Sequence, residues 1–263
     1  MIDFHNHVLP KIDDGSQSLD VSLNMLKHAS DQGITDVINT VHYQHPKVET
    51  EDINYTRIQN KIKDLQAELK RNNIPIKLHI GAEVFYLPNL SVIKNDPLAT
   101  FNNHKYMLIE FQVHHLPDTY KKQLFDLKMS GVTPIIAHPE RYKFVQNNLS
   151  IVCSWLESGC LIQVDAGSPL GYLGKSSKIS AEKIIKNGWC HFLGSDSHDD
   201  RKRNFCLKKS VDLVKTWIGD AVYPMVYDNP KAIIDSKDII IDFEYDSKEM
   251  PNLWSKIKHK IGL

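Results

Sequence analysis

The stretch Ile2-Asp3-Phe4-His5-Asn6-His7 at the start of the chain is a short apolar strand pattern that ends in two histidines. Alternating residues of an extended segment point the same way, so both imidazole rings can reach one metal ion. A short apolar run followed by His, Asp or Glu recurs at five of the six later strands. Those strands are predicted near residues 36–41, 76–80, 106–109, 133–137, 161–165 and 191–194.

Helical patterns separate these strands. The first helix is expected to begin after Ser18 as its N-cap and to end at Gly33. The other helices are expected near residues 55–69, 120–130, 149–158, 180–187 and 204–217. Alternation of this kind indicates parallel strands that are buried on both faces. Seven such units without a linker favour one closed α/β barrel over two open sheets, in a single domain over residues 1–263.

Two segments depart from this rhythm. Residues 85–104 are expected to form an irregular excursion over the barrel mouth. A C-terminal tail is expected from about residue 236 to 263. Within it, one helical face carries Leu253, Trp254, Ile257 and Ile261, with lysines opposite. We expect a last helix that packs on the barrel, with docking on a partner or an anionic surface as the alternative.

Composition excludes several classes of protein. Lys+Arg and Asp+Glu both number 32, so the net charge of zero lacks the long-range positive field of general nucleic-acid binders. No apolar run approaches the roughly 20 residues of a membrane span, and no secretory signal is evident. The four cysteines form no CxxC pair and none has an Arg six positions later, which predicts reduced thiols in a cytoplasmic protein without a thiolate phosphatase loop.

Nine histidines and carboxylates follow the predicted strands and are candidate metal ligands. In a parallel barrel all carboxyl ends of the strands lie on one face, where barrel enzymes place their sites. One His at a strand end is weak evidence, but repetition at six strands predicts a multinuclear metal site. Imidazole and carboxylate without thiolate suit Mn²⁺, Fe²⁺, Zn²⁺ or Mg²⁺. The candidates are His5, His7, Asp14, His42, Glu83, Glu110, His138, Asp196 and His198.

The charges of such a site favour a phosphate substrate. Three divalent ions would bring +6 and the four carboxylates −4, which leaves about +2 to hold hydroxide and a phosphate oxyanion. Arg141 and Arg203 closely follow candidate ligands, and a guanidinium group can bind phosphate oxygens in bidentate geometry. The alternative is that these arginines are solvated loop residues, an interpretation that is stronger for Arg201.

Seven short motifs carry a family resemblance. The most specific are Ile12-Asp13-Asp14-Gly15 and Ile136-Ala137-His138-Pro139-Glu140-Arg141. The others occupy residues 1–7, 81–83, 108–110, 163–168 and 194–198. With these motifs in this order, the sequence resembles the polymerase-and-histidinol-phosphatase (PHP) superfamily. More narrowly, it resembles the bacterial manganese-dependent tyrosine phosphatases of capsule and exopolysaccharide operons.

The resemblance implies a distorted (β/α)7 TIM-like barrel of the PHP type and three divalent ions, most often Mn²⁺. One ion would be held by His5, His7, Glu83 and Asp196. Glu83 would bridge to a second ion, which Glu110 and His138 also hold, and a third would be held by Asp14, His42 and His198. Arg141 and Arg203 would clamp the phosphate. The implied substrate is phosphotyrosine in the tail of a bacterial tyrosine kinase that controls polysaccharide export.

Two departures and three alternatives remain. Tyr43 stands where the family usually has a second histidine, and Arg203-Asn204 stands where an Arg-Pro pair is usual. The first alternative is a PHP-type phosphatase of a small phosphomonoester such as histidinol phosphate. The second is a PHP nuclease, which the zero net charge disfavours. The third is a non-catalytic, metal-bound partner of a kinase, and the sequence leaves the oligomeric state open.

Overall fold

A computed structural model describes residues 1–46, 48, 53–101 and 104–239 of the chain. Within these ranges seven strands form one parallel sheet in sequence order, as the sequence predicts. The sheet curls into a nearly closed barrel, because Asn6 and Ser197, just beyond the first and last strands, form a parallel bridge. The strands are β1 (Ile2–Asp3), β2 (Asp36–Tyr43), β3 (Lys77–Phe85), β4 (Tyr106–Glu110), β5 (Thr133–Ile136), β6 (Leu161–Asp165) and β7 (Phe192–Gly194).

Strands β2 and β3 extend further than the sequence predicts. They pair in parallel from Asp36 opposite Lys77 to Tyr43 opposite Val84. His42 and Glu83 therefore lie inside strands and not after them. The apolar run predicts an earlier end for each strand, because inward positions near the carboxyl end of this barrel are polar and interrupt the apolar pattern.

Helices cover the outside of the barrel. The Ser18 side chain accepts a hydrogen bond from the Val21 N–H at 3.2 Å, and Gly33 follows the helix with a φ of +80°, so both predicted ends of the first helix are confirmed. Another helix begins at Lys175, five residues before its predicted start. The helices are α1 (Leu19–Asp31), α2 (Tyr55–Arg71), α3 (Leu90–Ile93), α4 (Tyr120–Met129), α5 (Lys143–Asn147), α6 (Ser150–Glu157), α7 (Gly167–Leu170), α8 (Lys175–Lys186), α9 (Leu207–Ile218) and α10 (Asp228–Ile234).

The barrel separates two apolar cores. The larger core fills the layer between the strands and the helices. The smaller core fills the barrel interior and includes Phe4, Ile38, Leu108 and Phe192. Phe4 is fully buried and stacks on Phe192 with the ring centroids 4.2 Å apart. Because Phe4 immediately precedes His5, this inner core is the floor on which the polar carboxyl end of the barrel rests.

The connection from β3 to β4 contributes to this floor. It contains the short helix α3 and, contrary to the prediction of an excursion over the mouth, inserts the Phe101 ring into the inner core. The ring centroids of Phe101 and Phe4 are 5.4 Å apart. A Cβ atom on Gly81 would lie 2.5 Å from the Phe101 ring, so the absence of a side chain on β3 makes room for the phenylalanine.

Residues 240–263, which include most of the predicted tail, lie outside the described residues. The prediction that residues 1–263 form one domain therefore stays a prediction. Within the described ranges, no helix combines the length and the apolar character that crossing a bilayer requires.

Truncation of Phe4 should destabilise the whole barrel. We expect Phe4→Ala to lower the free energy of unfolding by about 3–5 kcal/mol, because it removes a buried ring and leaves a cavity. Phe125→Ala is the matched control, since the Phe125 side chain is 62% exposed, and its effect should stay within about 0.5 kcal/mol. Urea unfolding of both variants without added metal measures this; equal values would place Phe4 outside the core.

Candidate metal centre

The carboxyl ends of the strands bring all nine predicted ligands into one cluster. Segments just after β1 supply His5, His7 and Asp14. The other positions are on β2 (His42), on β3 (Glu83), at the end of β4 (Glu110), after β5 (His138) and after β7 (Asp196 and His198). Seven of the nine, all except His5 and His7, line a cavity of about 70 Å³, and Arg141 and Arg203 also line it. Eight of the nine are largely buried, and only the Asp14 side chain is substantially exposed, at 40%.

The innermost donors surround one point. The Nε2 atom of His5 lies 3.2 Å from Glu83 Oε2 and 3.5 Å from Asp196 Oδ1. The Nε2 atom of His7 lies 3.5 Å and 3.4 Å from the same two oxygens. Two donors that bind one ion at about 2.1 Å can be at most about 4.2 Å apart, so these spacings leave room for a shared ion. These four residues are the set that the resemblance assigns to one ion.

Two further groups adjoin this one. His138 Nε2 lies 2.8 Å from Glu83 Oε1 and 3.7 Å from Glu110 Oε1, which matches the second predicted set. Asp14 Oδ1 lies 3.2 Å from His42 Nε2 and 3.4 Å from His198 Nε2, which matches the third. All three predicted sets are thus brought together by the structure, whereas their role as ligands stays a prediction.

Acceptors behind the histidines orient three of the rings. The Nδ1 atom of His5 contacts Gln163 Oε1 at 3.1 Å, that of His7 contacts Asp13 Oδ2 at 2.8 Å, and that of His198 contacts the Asp196 carbonyl oxygen at 2.9 Å. Each acceptor fixes the hydrogen on Nδ1, which turns the Nε2 lone pair toward the cluster. This is the usual arrangement behind metal-binding histidines.

Unpartnered atoms also fit bound cations. Buried polar atoms normally make a hydrogen bond, yet several in this cluster make none with acceptable geometry. They include His5 Nε2, His7 Nε2 and Glu110 Oε2. Divalent ions among imidazoles and carboxylates would satisfy such atoms, so the residues present fit the metal that the sequence predicts.

Backbone strain marks two of the predicted ligands. His138 has a φ of +28° and Asp196 a φ of +45°, in the left-handed region that non-glycine residues rarely adopt. The surroundings hold both residues there. The Asp196 N–H donates to the His5 carbonyl oxygen at 2.7 Å, and the His138 N–H donates to Gln163 Oε1 at 3.1 Å. Strain retained in this way is typical of functional sites.

The close charges of the cluster shift the pKa values of its members. Burial lowers the pKa of His5, but the carboxylates of Glu83 and Asp196 outweigh it and raise the pKa to about 9. Burial and the negative charge of Glu83 hold the pKa of Glu110 well above its ordinary value. Because metal ligands must be deprotonated, binding of divalent ions here would be coupled to the release of protons.

The two predicted phosphate-binding arginines lie at the cavity. Nη1 of Arg141 contacts Asp196 Oδ2, and Nη2 of Arg203 donates to the same oxygen at 2.7 Å. Arg201, the weaker candidate, is 89% exposed and lies 3.8 Å from Asp200, outside the site. The structure therefore separates the two predicted residues from the solvated one.

The sequence does not predict three residues that lie at the centre. Asp13 and Gln163 hold the rings of His7 and His5, and both lie within motifs quoted above. The third, His45, is buried, and its ring stacks on that of His42 with the centroids 4.4 Å apart. The only signal for His45 in the sequence is its place three residues after a candidate ligand.

A parallel α/β barrel with buried histidines and carboxylates at its carboxyl end defines a metal-dependent barrel enzyme. The chain belongs to the capsular polysaccharide synthesis family CpsB/CapC, whose sequence profile matches residues 1–235. This confirms the resemblance drawn from the motifs.

Known proteins similar to this chain carry tyrosine phosphatase names. The putative tyrosine-protein phosphatase CapC of Staphylococcus aureus is 31% identical over 100% of both chains. The tyrosine-protein phosphatase YwqE of Bacillus subtilis is 31% identical over 91% of this chain and 93% of its own. The chain also aligns with a crystal structure from work on YwqE and on CpsB of Streptococcus pneumoniae, which are metal-dependent tyrosine phosphatases. The alignment has a TM-score of 0.85 and 28% sequence identity, and it covers 91% of this chain and 96% of the other.

Removal of the charge behind His7 should weaken metal binding. We expect Asp13→Asn to lower the affinity for Mn²⁺ by about 10- to 100-fold, because the carboxylate orients the ring and raises its basicity. Asp64→Asn on the exposed face of α2 is the matched control and should bind like the wild type. Calorimetric titration of metal-free protein measures both, and unchanged affinity in Asp13→Asn would contradict this role.

Proposed function

We propose that this chain is a metal-dependent protein-tyrosine phosphatase, a phosphoric monoester hydrolase that acts on phosphotyrosine. The observation that carries the proposal is a cluster of nine metal-ligand candidates, seven of which line one cavity together with two guanidinium groups. The tyrosine phosphatase names of the CapC and YwqE relatives, which span more than 90% of this chain, support the same activity.

The proposed cofactor is a set of three divalent ions, with Mn²⁺ first and Fe, Zn or Mg as alternatives. The proposed ligands are the three groups described above, with Glu83 shared between two of them. When bound, such ions activate water as a nucleophile at neutral pH and offset the negative charge that develops on phosphoryl oxygens. Their mixed imidazole and carboxylate donors suit these metals better than soft ones.

The chain's own residues have distinct proposed tasks. Arg141 and Arg203 bind phosphate oxygens and orient the phosphorus toward the ions. A phenol with a pKa near 10 leaves more readily than an alkyl alcohol, which reduces the need for a strong general acid. No cysteine takes part. All four are buried, and burial raises the pKa of Cys160 to about 12, which disfavours a thiolate nucleophile.

The proposed partner is a phosphotyrosine-containing protein, namely the tail of a bacterial tyrosine kinase that controls polysaccharide export. The family's link to capsular polysaccharide synthesis supports this choice. We also propose a cytoplasmic location, since the four cysteines are free.

Phosphate release from three substrates tests the proposed activity. With Mn²⁺, a phosphotyrosyl peptide should be hydrolysed much faster than the matching phosphoseryl peptide or histidinol phosphate, and EDTA should abolish turnover. Equal turnover of phosphoserine would remove the tyrosine assignment. Preference for histidinol phosphate would favour the small-substrate alternative, and no turnover of any substrate would favour a non-catalytic kinase partner.

The variant Arg141→Lys tests whether phosphate binding needs the bidentate geometry of the guanidinium group or only its positive charge. Lysine keeps the positive charge but loses the bidentate fork, and a lost charge-assisted hydrogen bond costs on the order of 1.5–3 kcal/mol. We therefore expect kcat/KM on a phosphotyrosyl peptide to fall roughly 10- to 150-fold. Arg201→Lys, at the exposed arginine nearby, is the matched control and should be silent. Unchanged kinetics in a fully metallated Arg141→Lys would exclude Arg141 from phosphate binding.

A further inference from the structure

A strained turn after β2 directs His45 back toward the metal centre. The turn residue, Gln44, has a φ of +50°, which a non-glycine residue rarely adopts. Its side-chain amide donates to the Phe85 carbonyl oxygen at 2.9 Å and exchanges hydrogen bonds with the Asn89 side chain at 3.0 and 3.1 Å. The end of β3 and the residues after it thus hold the turn in place. Strain that the surroundings hold in this way is typical of functional sites.

The His45 ring is held in one place. It stacks on the His42 ring at 4.4 Å and meets the Phe85 ring edge-on at 5.0 Å. Pro46 follows directly and restricts the backbone of His45 to extended conformations. His45 is 8% exposed, so it is buried among the side chains of the centre.

The Nε2 atom of His45 faces a carboxylate oxygen of the centre. It lies 3.7 Å from Glu110 Oε2, while the other oxygen of Glu110 lies 3.7 Å from His138 Nε2. Glu110 Oε2 is a buried atom without a hydrogen bond. A separation of 3.7 Å is too long for a hydrogen bond but shorter than the limit of about 4.2 Å for two donors on one ion.

His42 cannot bind an ion beside Glu110 Oε2 if it binds the ion of the Asp14 group through its Nε2. Its Nε2 lies 3.2 Å from Asp14 Oδ1, so Nε2 is the atom that would bind the ion of that group. A neutral imidazole that binds an ion through Nε2 carries its hydrogen on Nδ1, and Nδ1 lies 3.2 Å from Glu83 Oε2. An ion beside Glu110 Oε2 would therefore be bound by His45, whose Nε2 lies 3.7 Å from that oxygen, and not by His42.

We propose that His45 is a tenth ligand of the metal centre and that its Nε2 binds the ion held by Glu110. The proposal rests on the metal centre of the proposed function and is independent of which phosphoester is hydrolysed. Without His45, the predicted protein donors of this ion are two carboxylates and one imidazole. A second imidazole favours Mn²⁺, Fe²⁺ or Zn²⁺ over Mg²⁺ at this position, since Mg²⁺ prefers oxygen ligands.

Metal content and metal-dependent melting test the proposal without reference to activity. Wild type, His45→Ala, His138→Ala and the exposed-histidine control His114→Ala are loaded with Mn²⁺ and desalted, and bound Mn is measured by elemental analysis. We expect His45→Ala to lose about one ion per chain, as His138→Ala does, and His114→Ala to match the wild type. Changes to groups behind metal ligands cost 10- to 100-fold in affinity, so loss of a direct ligand should weaken this site at least tenfold.

Thermal melting separates ligation from packing. In EDTA, His45→Ala should melt within about 2 °C of the wild type. In Mn²⁺, tenfold weaker binding removes about 1.4 kcal/mol of stabilisation and should lower the melting temperature by about 3–5 °C. Full Mn content in His45→Ala, or an equal loss of melting temperature with and without Mn²⁺, would overturn the proposal.

If His138→Ala loses metal and His45→Ala does not, only the proposal that His45 is a ligand is wrong. A wild type that binds no divalent ion overturns both this proposal and the proposed function.

Discussion

The backbone contact that joins the first strand to the last is the constraint on which the structure depends. The Asp196 N–H donates to the His5 carbonyl oxygen at 2.7 Å, and the His7 N–H donates to the Ser197 carbonyl oxygen at 2.9 Å. The barrel thus closes through the segments that carry the predicted ligands. Beneath this contact, Asp3 accepts hydrogen bonds from the Ser195 hydroxyl at 2.6 Å and from its N–H at 3.1 Å. The backbone hydrogen bonds that close the sheet therefore also bring the predicted ligands of the first and last strands together.

A sharp division of the barrel interior follows from this arrangement. Below the closure, buried aromatic rings such as Phe4, Phe101 and Phe192 pack with aliphatic side chains. One or a few residues further along the same strands, the inward positions carry imidazoles and carboxylates. Rigid packing below gives the polar layer fixed positions, and the left-handed residues His138 and Asp196 then aim two strand exits into the cluster. A site of this kind needs no large movement to bind an ion.

The sequence reveals those features that are local and repeated. Seven short apolar runs predict the strands, and polar residues after them predict nine positions that the structure brings together. The positions that the sequence does not predict depend on the backbone conformation of turns. His45 lies in the site because Gln44 adopts a left-handed conformation, which a glutamine in the sequence does not indicate. Likewise, Arg203 and Arg201 are distinguished by a turn in which Asp199 Oδ1 accepts three successive backbone N–H groups, from residues 201 to 203.

The closure between residues 6 and 197 also sets the order of events during synthesis of the chain. The donors around the innermost point come from residues 5, 7, 83 and 196, so no ion there gains its full set until β7 has left the ribosome. Until then, β1 has no neighbouring strand on one side, and Phe4 lacks the Phe192 ring on which it stacks. Long-range contacts of this kind form slowly, because the entropy of closing a long loop is lost before any contact stabilises it. A divalent ion at the predicted site would therefore bind late and would join the first strand made to the last.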